Sequence, residues 1–237
     1  MKILFKTIIF LFAVISVAQE KPNLEKVVSE KPNFEALDSL YREDQFYLGI
    51  SYNSLQNKPM GGDQGRFTPS FSIGILRDMP FNKNRTWAVA AGLGYAINNY
   101  NQNIQVFENS NNTIDYQIIN TDYEKNKLVT NYIELPVELR WRNSTPESHK
   151  FWRVYAGFKA SYLVYNYNKY VDGSGTQIIN SNPDLNKLQL GTYLSFGYNT
   201  INFNVYYGLS PIYKTAKIDN ELINMRSLNF GFMFYIL

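Results

Sequence analysis

Trp87-Ala88-Val89-Ala90-Ala91-Gly92-Leu93-Gly94-Tyr95-Ala96-Ile97-Asn98 is an alternation with a period of two. Successive side chains of an extended chain point to opposite faces. Trp87, Val89, Ala91, Leu93, Tyr95 and Ile97 therefore make one greasy face, and Ala88, Ala90, Gly92, Gly94, Ala96 and Asn98 make one of small residues. A half-buried strand of a soluble sandwich gives the same pattern, so a single segment decides nothing and the set must. The period recurs from Phe46 to the last residue, over 46–53, 67–77, 87–98, 129–142, 151–167, 188–198, 201–209 and 226–237. In the fourth segment Ile133, Leu135, Val137, Leu139 and Trp141 oppose Glu134, Glu138, Arg140 and Arg142. In the fifth, Trp152, Val154, Ala156, Phe158, Ala160, Tyr162 and Val164 oppose Arg153, Tyr155, Gly157, Lys159 and Ser161.

The connections alternate in length. Those over 54–66, 99–128, 168–187 and 210–225 are long and rich in Asn and Gly, while those over 78–86, 143–150 and 199–200 are short. Short turns at one end, long loops at the other and an even strand number define an outer-membrane barrel with both termini in the periplasm. The expected fold is all-β: an eight-stranded antiparallel up-and-down transmembrane β-barrel over residues 45–237, with short periplasmic turns and long extracellular loops. A soluble eight-stranded lipocalin-like barrel is the alternative, and it would turn the apolar faces inward. Three features favour the membrane: the leader described below, the confinement of charge to one strand face, and aromatics at strand ends (Trp87, Trp141, Phe151, Trp152, Tyr198, Tyr235), where an interfacial girdle would lie. The last strand adds a fourth. Asn229, Gly231, Phe234 and Ile236 match the polar, glycine, aromatic and apolar spacing of the signal that directs such barrels to the barrel insertion machinery.

Composition agrees. Charged residues are 18% of the 237, below the roughly 25% of soluble domains, and Tyr outnumbers Trp 19 to 3. Tyrosine suits a site with both oil and water at hand. Mean hydropathy is −0.31, and after the N-terminus no apolar run reaches the roughly 18 residues of a membrane-crossing helix. Lys2 and Lys6 followed by the apolar run Thr7 to Ile15 and by Ser16-Val17-Ala18 read as a signal peptide over 1–18, cleaved after Ala18. Its removal leaves 21 basic against 20 acidic side chains. That is no footprint for nucleic acid.

Residues 19–44 form a separate, Glu- and Lys-rich periplasmic segment in which Glu20-Lys21-Pro22-Asn23 recurs as Glu30-Lys31-Pro32-Asn33. Two copies cannot build a solenoid. The segment reads either as a flexible linker or, where Asn33 caps a short helix with Phe34, Leu37, Leu40 and Tyr41 on one face, as a docking element.

Cysteine is absent, which removes disulfides, thiolate metal sites and thiol nucleophiles. The single histidine, His149, falls in a predicted turn without a partner for a metal or a triad. Glu108, Asp115, Asp122, Glu124, Asp172 and Asp184, near the external loops, form no discernible constellation. No catalytic, cofactor or metal residue is assigned. The candidate site is instead a lumenal charge network of Glu134, Glu138, Arg140, Arg153 and Lys159, because eight strands enclose only enough room for side chains. A symmetric turn over 143–150 would set Glu134 opposite Lys159 and Arg140 opposite Arg153, with Glu138 offsetting the two arginines. Pro136 cannot donate to the ladder, so a bulge or local break is expected there.

Glu134-Leu135-Pro136-Val137-Glu138-Leu139-Arg140-Trp141-Arg142, Ser144-Thr145-Pro146 and Phe151-Trp152-Arg153-Val154-Tyr155-Ala156-Gly157-Phe158-Lys159 together resemble the central hairpin of PorT proteins, small outer-membrane barrels of Bacteroidota. The leader, the length and the aromatic last strand fit as well. The resemblance implies a role in type IX secretion, which carries folded cargo with a C-terminal sorting domain across the outer membrane and delivers adhesins in gliding organisms. It implies as partners outer-membrane lipid and other components of that apparatus. A barrel this narrow does not pass folded cargo, so the implied role is accessory. The competing expectations are a general small barrel, structural or surface-binding, and a narrow channel.

Overall fold

The computed structural model describes residues 44–143 and 151–236. The expected signal peptide over 1–18, the segment before residue 44 with its short helix, and His149 lie outside the described residues. The strands are β1 (Gln45–Gln56), β2 (Pro69–Pro80), β3 (Trp87–Asn101), β4 (Ile104–Glu108), β5 (Ile114–Ile118), β6 (Lys125–Arg142), β7 (Trp152–Asp172), β8 (Gly175–Asn180), β9 (Leu188–Tyr198), β10 (Ile201–Gly208), β11 (Lys217–Ile218), β12 (Glu221–Leu222) and β13 (Arg226–Ile236). Barrel strands β1, β2, β3, β6, β7, β9, β10 and β13 pair antiparallel with their neighbours, and β13 returns to β1 from Phe46 opposite Ile236 to Gln56 opposite Arg226. The sheet closes on itself and leaves no edge in the barrel wall. A closed ladder is what a strand structure needs where no water can satisfy its backbone.

Alternation then fixes the two surfaces. Leu48, Ile50, Ile73, Ile75, Leu93, Leu135, Val137, Val154, Phe158, Leu194, Phe196 and Phe232 are exposed on the outside. Glu134, Glu138, Arg140, Arg153, Tyr155, Tyr193 and Ser195 are buried on the inside. Apolar residues face out and charged ones in, the reverse of a soluble barrel. The outer rings interlock across strands, with Phe196, Phe203 and Phe232 joined edge to face at 5.5 and 6.1 Å.

Two aromatics expected in the girdle are not there. Trp87, Trp152 and Tyr198 are outside, but Phe151 and Tyr235 are buried in the lumen. Parity explains both: Phe151 shares the phase of inward Arg153 and Tyr155, and Tyr235 that of inward Ser227.

Pro136 interrupts one ladder only. Toward β3 the pairing runs Ala91 opposite Val137 and resumes at Gly94 opposite Glu134, so the break carries no change of register, while toward β7 Pro136 pairs with Lys159. The bulge lies higher, where Tyr132 faces Leu163 and Asn131 faces Tyr165, leaving Val164 as the extra residue. There the inward phase of β7 switches from odd to even positions, and Asn166 and Asn168 turn inward.

Glycines on the inner wall make room for rings. A Cβ at Gly94 would stand 1.9 Å from Tyr47 Oη, and one at Gly157 would stand 2.2 Å from Tyr193 Cζ. The small face seen in the sequence is a seat for tyrosines projecting from other strands.

The outward assignment of Val137 and Phe158, 49% and 45% exposed, predicts that Val137→Arg or Phe158→Arg costs about 2–4 kcal/mol in lipid, the range for a cation near the midplane of such barrels. Equilibrium refolding into vesicles measures this. Silent substitutions would mean that the faces are assigned backwards.

Candidate functional site

The lumen at the short-turn end is filled by an ionic cluster. β6 points Glu138, Arg140 and Arg142 inward at successive even positions, and β2 brings Asp78 to the same level. Arg140 donates from Nε to Glu138 Oε2 at 2.7 Å and from Nη1 to Asp78 Oδ1 at 3.1 Å, and Arg142 Nη2 donates to Asp78 Oδ2 at 2.8 Å. One carboxylate thus spans two guanidiniums. Tyr193 donates to Glu138 Oε1 at 2.6 Å, and the Arg140 guanidinium lies 4.7 Å from the Tyr155 ring centroid. Asp78, Glu138, Arg140 and Arg142 are all buried, where ionic groups persist only with such partners.

Asp78 was not legible as a site residue because the alternation appears to the eye to stop at Arg77. It keeps the phase of Ser70, Ser72 and Gly74, and one more residue of β2 would have included it.

The expected register is two residues out. Glu134 faces Ser161, Arg140 faces Tyr155 and Arg153 faces Arg142. The hairpin closes with Asn143 opposite Trp152: Asn143 N donates to Trp152 O at 3.3 Å, and Trp152 N donates to Asn143 Oδ1 at 2.8 Å. Its centre is therefore one position later than a symmetric 143–150 turn gives. A shift of two preserves the faces. Lys159 still reaches Glu134, diagonally, at 3.0 Å. Arg153 is different: it is buried beneath Phe151, whose ring centroid is 4.5 Å from its Cζ, and among the described residues it has no carboxylate partner.

The Glu134–Lys159 pair lines a polar cavity of about 50 Å³, bounded also by Ser72, Asn98, Ser161, Asn204, Tyr206 and Asn229. It holds a few waters at most. Asn229 and Gly231 share the inward phase, whereas Phe234 and Ile236 point outward.

The long Asn- and Gly-rich loops fold into a cap. Ile104 and Val106 of β4, Tyr116 of β5, Leu185, Ile212, Tyr213, Ala216, Ile223 and Met225 pack with Leu55, Tyr100, Leu128 and Tyr132 from the strand ends. Polar ties cross between loops. Asp63 N donates to Asn103 Oδ1 at 2.6 Å, the Tyr116 hydroxyl donates to Asp184 Oδ2 at 2.9 Å, Thr215 donates to Asp184 Oδ1, and Gln102 Nε2 donates to Tyr213 Oη at 3.2 Å. Burial pushes the Tyr213 phenol up to about 12 and Tyr116 higher still, so both stay protonated at neutral pH, Tyr213 accepting from Gln102 and Tyr116 donating to Asp184. Asp184, which stood in no recognisable constellation, is the hub of this cap. The signal for the β4–β5 hairpin was Ile104, Val106, Ile114 and Tyr116 alternating about Asn112, which adopts a φ of 57°.

A closed strand ladder, an apolar outer band and a polar lumen are thus established, and a family model described as an outer membrane protein beta-barrel domain matches residues 17–214. The chain belongs to that family. It is an outer-membrane β-barrel. Among solved structures, the barrel is similar to Ail, the attachment invasion locus protein of Yersinia pestis, at 12% identity and a TM-score of 0.35, covering 81% of this chain and 99% of that one. It is also similar to Neisserial surface protein A at 13% identity and a TM-score of 0.37, covering 82% and 96%. No curated protein matches the chain. In this member of the family, side chains pack the inner wall among the described residues.

The sharing of Asp78 predicts that Asp78→Ala destabilises the refolded barrel by about 3–5 kcal/mol, since it removes a buried carboxylate on which two guanidiniums depend. Arg77→Ala, which removes the exposed pair with Asp44 at 3.0 Å, should cost less than about 1 kcal/mol. Urea titrations in vesicles compare the two. Equal effects would show that the buried cluster carries no special weight.

Proposed function

We propose that this barrel is a non-conducting accessory component of type IX secretion, acting as a scaffold or assembly element rather than as the conduit. One observation carries the reading: the hairpin that resembles PorT proteins is the hairpin that plugs the lumen. Glu134, Glu138, Arg140, Arg153 and Lys159 all project from it into the barrel. The stretch that carries the resemblance therefore serves closure, which suits a part that holds other components and does not suit a channel.

In this reading the short-turn end, with both described chain ends, faces the periplasm, and the cap faces outward. Asn229, Gly231, Phe234 and Ile236 serve as the signal taken up by the insertion machinery. Partners are other components of the secretion apparatus, approached from the short-turn end. Where the organism glides, adhesin delivery depends on the same component.

A second reading, a surface-binding barrel, draws support from the cap, because three loops packed into one apolar core, with the first loop tied on through Asp63, present a defined outer surface. Deletion of the gene separates the two. The accessory reading predicts that cargo bearing a C-terminal sorting domain is retained inside an otherwise intact envelope and that re-expression restores export. Normal export after deletion would overturn it and leave the surface-binding reading.

A further inference from the structure

Among the described residues, the buried cluster at the short-turn end holds more positive than negative groups. Asp78 and Glu138 supply two negative charges, and Arg140, Arg142 and Arg153 supply three positive ones. Arg140 and Arg142 share the two carboxylates through three charged hydrogen bonds. Arg153, 1% exposed, shares in none, and its Nε and Nη1 have no hydrogen-bond partner. Nη2 of Arg140 is likewise buried without a partner. Both guanidiniums lie near one ring, with their Cζ atoms 5.9 and 6.0 Å from the Tyr235 centroid. Rings explain part of Arg153's placement, since Phe151 lies at 4.5 Å and the faces of aromatic rings attract cations. A ring face offsets a guanidinium's charge only weakly and accepts none of its in-plane hydrogen bonds. Leaving a buried cation otherwise unpaired is among the costliest arrangements a fold can keep.

We propose that the short-turn end of the lumen is an oxyanion site in which Arg153 Nε and Nη1, assisted by Arg140 Nη2, hold one carboxylate or phosphate group. Guanidinium donors in a low-dielectric setting make charge-assisted hydrogen bonds to such oxygens. Asp78 and Glu138 already engage Arg140 and Arg142, so a single negative group suffices for Arg153. The anion enters from the aqueous phase at the short-turn end, either free or as an acidic side chain presented by a docked protein. The proposal stands apart from the secretion role, for an anion can bind whichever partners the barrel serves.

The two consequences are opposite in sign to those of the other buried charges. Arg153→Met removes the uncompensated cation and should leave the refolded barrel as stable as the wild type or more so, whereas the anion should stabilise only the wild type. Urea midpoints would be measured in neutral-lipid vesicles for the full mature chain and for Arg153→Met, with inorganic phosphate or hexaglutamate peptide titrated at constant ionic strength. Expected is a saturable upward shift of the wild-type midpoint that is lost in Arg153→Met. A shift with phosphate identifies a free anion as sufficient, and a shift only with hexaglutamate identifies a presented side chain. The proposal is overturned if neither probe shifts the wild-type midpoint, if both proteins shift alike, or if Arg153→Met lowers the midpoint without added anion, which would mean that another group of the chain already compensates Arg153.

Discussion

Pairing of β13 with β1 is the constraint on which the rest of the structure depends. It removes the last sheet edge and fixes the strand number at eight. Eight tilted strands leave an interior that side chains must fill. Every inward residue then has to find its partner among other inward residues. The charges of β2 and β6, the tyrosines of β1 and β9 and the glycines they cover are solutions to that one packing problem. Gly94 under Tyr47 and Gly157 under Tyr193 show how tightly it is solved.

The lumen is consequently layered. Ionic groups sit at the short-turn end, a single Lys159–Glu134 pair with a small polar cavity occupies the middle, and an apolar cap closes the long-loop end. Each layer suits its neighbours. Burial keeps the Tyr116 phenol neutral, and Asp184 gathers its hydroxyl and that of Thr215 from different loops. The ionic layer stands on β6, whose ladder is weakened toward β3 at Pro136 yet intact toward β7. A fold with its polar groups inside and its apolar groups outside gains little from conventional core burial, and it is the lipid that makes this arrangement favourable.

Much of this was legible in the residues because strands have a period of two. Parity placed Val137 and Phe158 outside and Glu134, Glu138, Arg140, Arg153 and Lys159 inside, and alternating connection lengths set the topology. What parity cannot supply is the point at which a turn closes. Asn143 pairs with Trp152, and that single step moved Arg140 from Arg153 to Tyr155 and left Arg153 facing Arg142. Strand ends were also blurred. Asp78 lay one residue past the visible alternation, and Phe151 and Tyr235 passed for interfacial aromatics although their parity points inward. The cap is hidden for a different reason: its apolar residues are spread over three loops, and no local pattern announces that Ile104, Leu185, Ile212 and Ile223 meet.

The central claim is that side chains and cap seal the barrel. Planar-bilayer recording of the purified, refolded protein tests it most directly. The account predicts no conductance steps above the membrane leak at either polarity, and regular, voltage-stable steps of an open pore would contradict it.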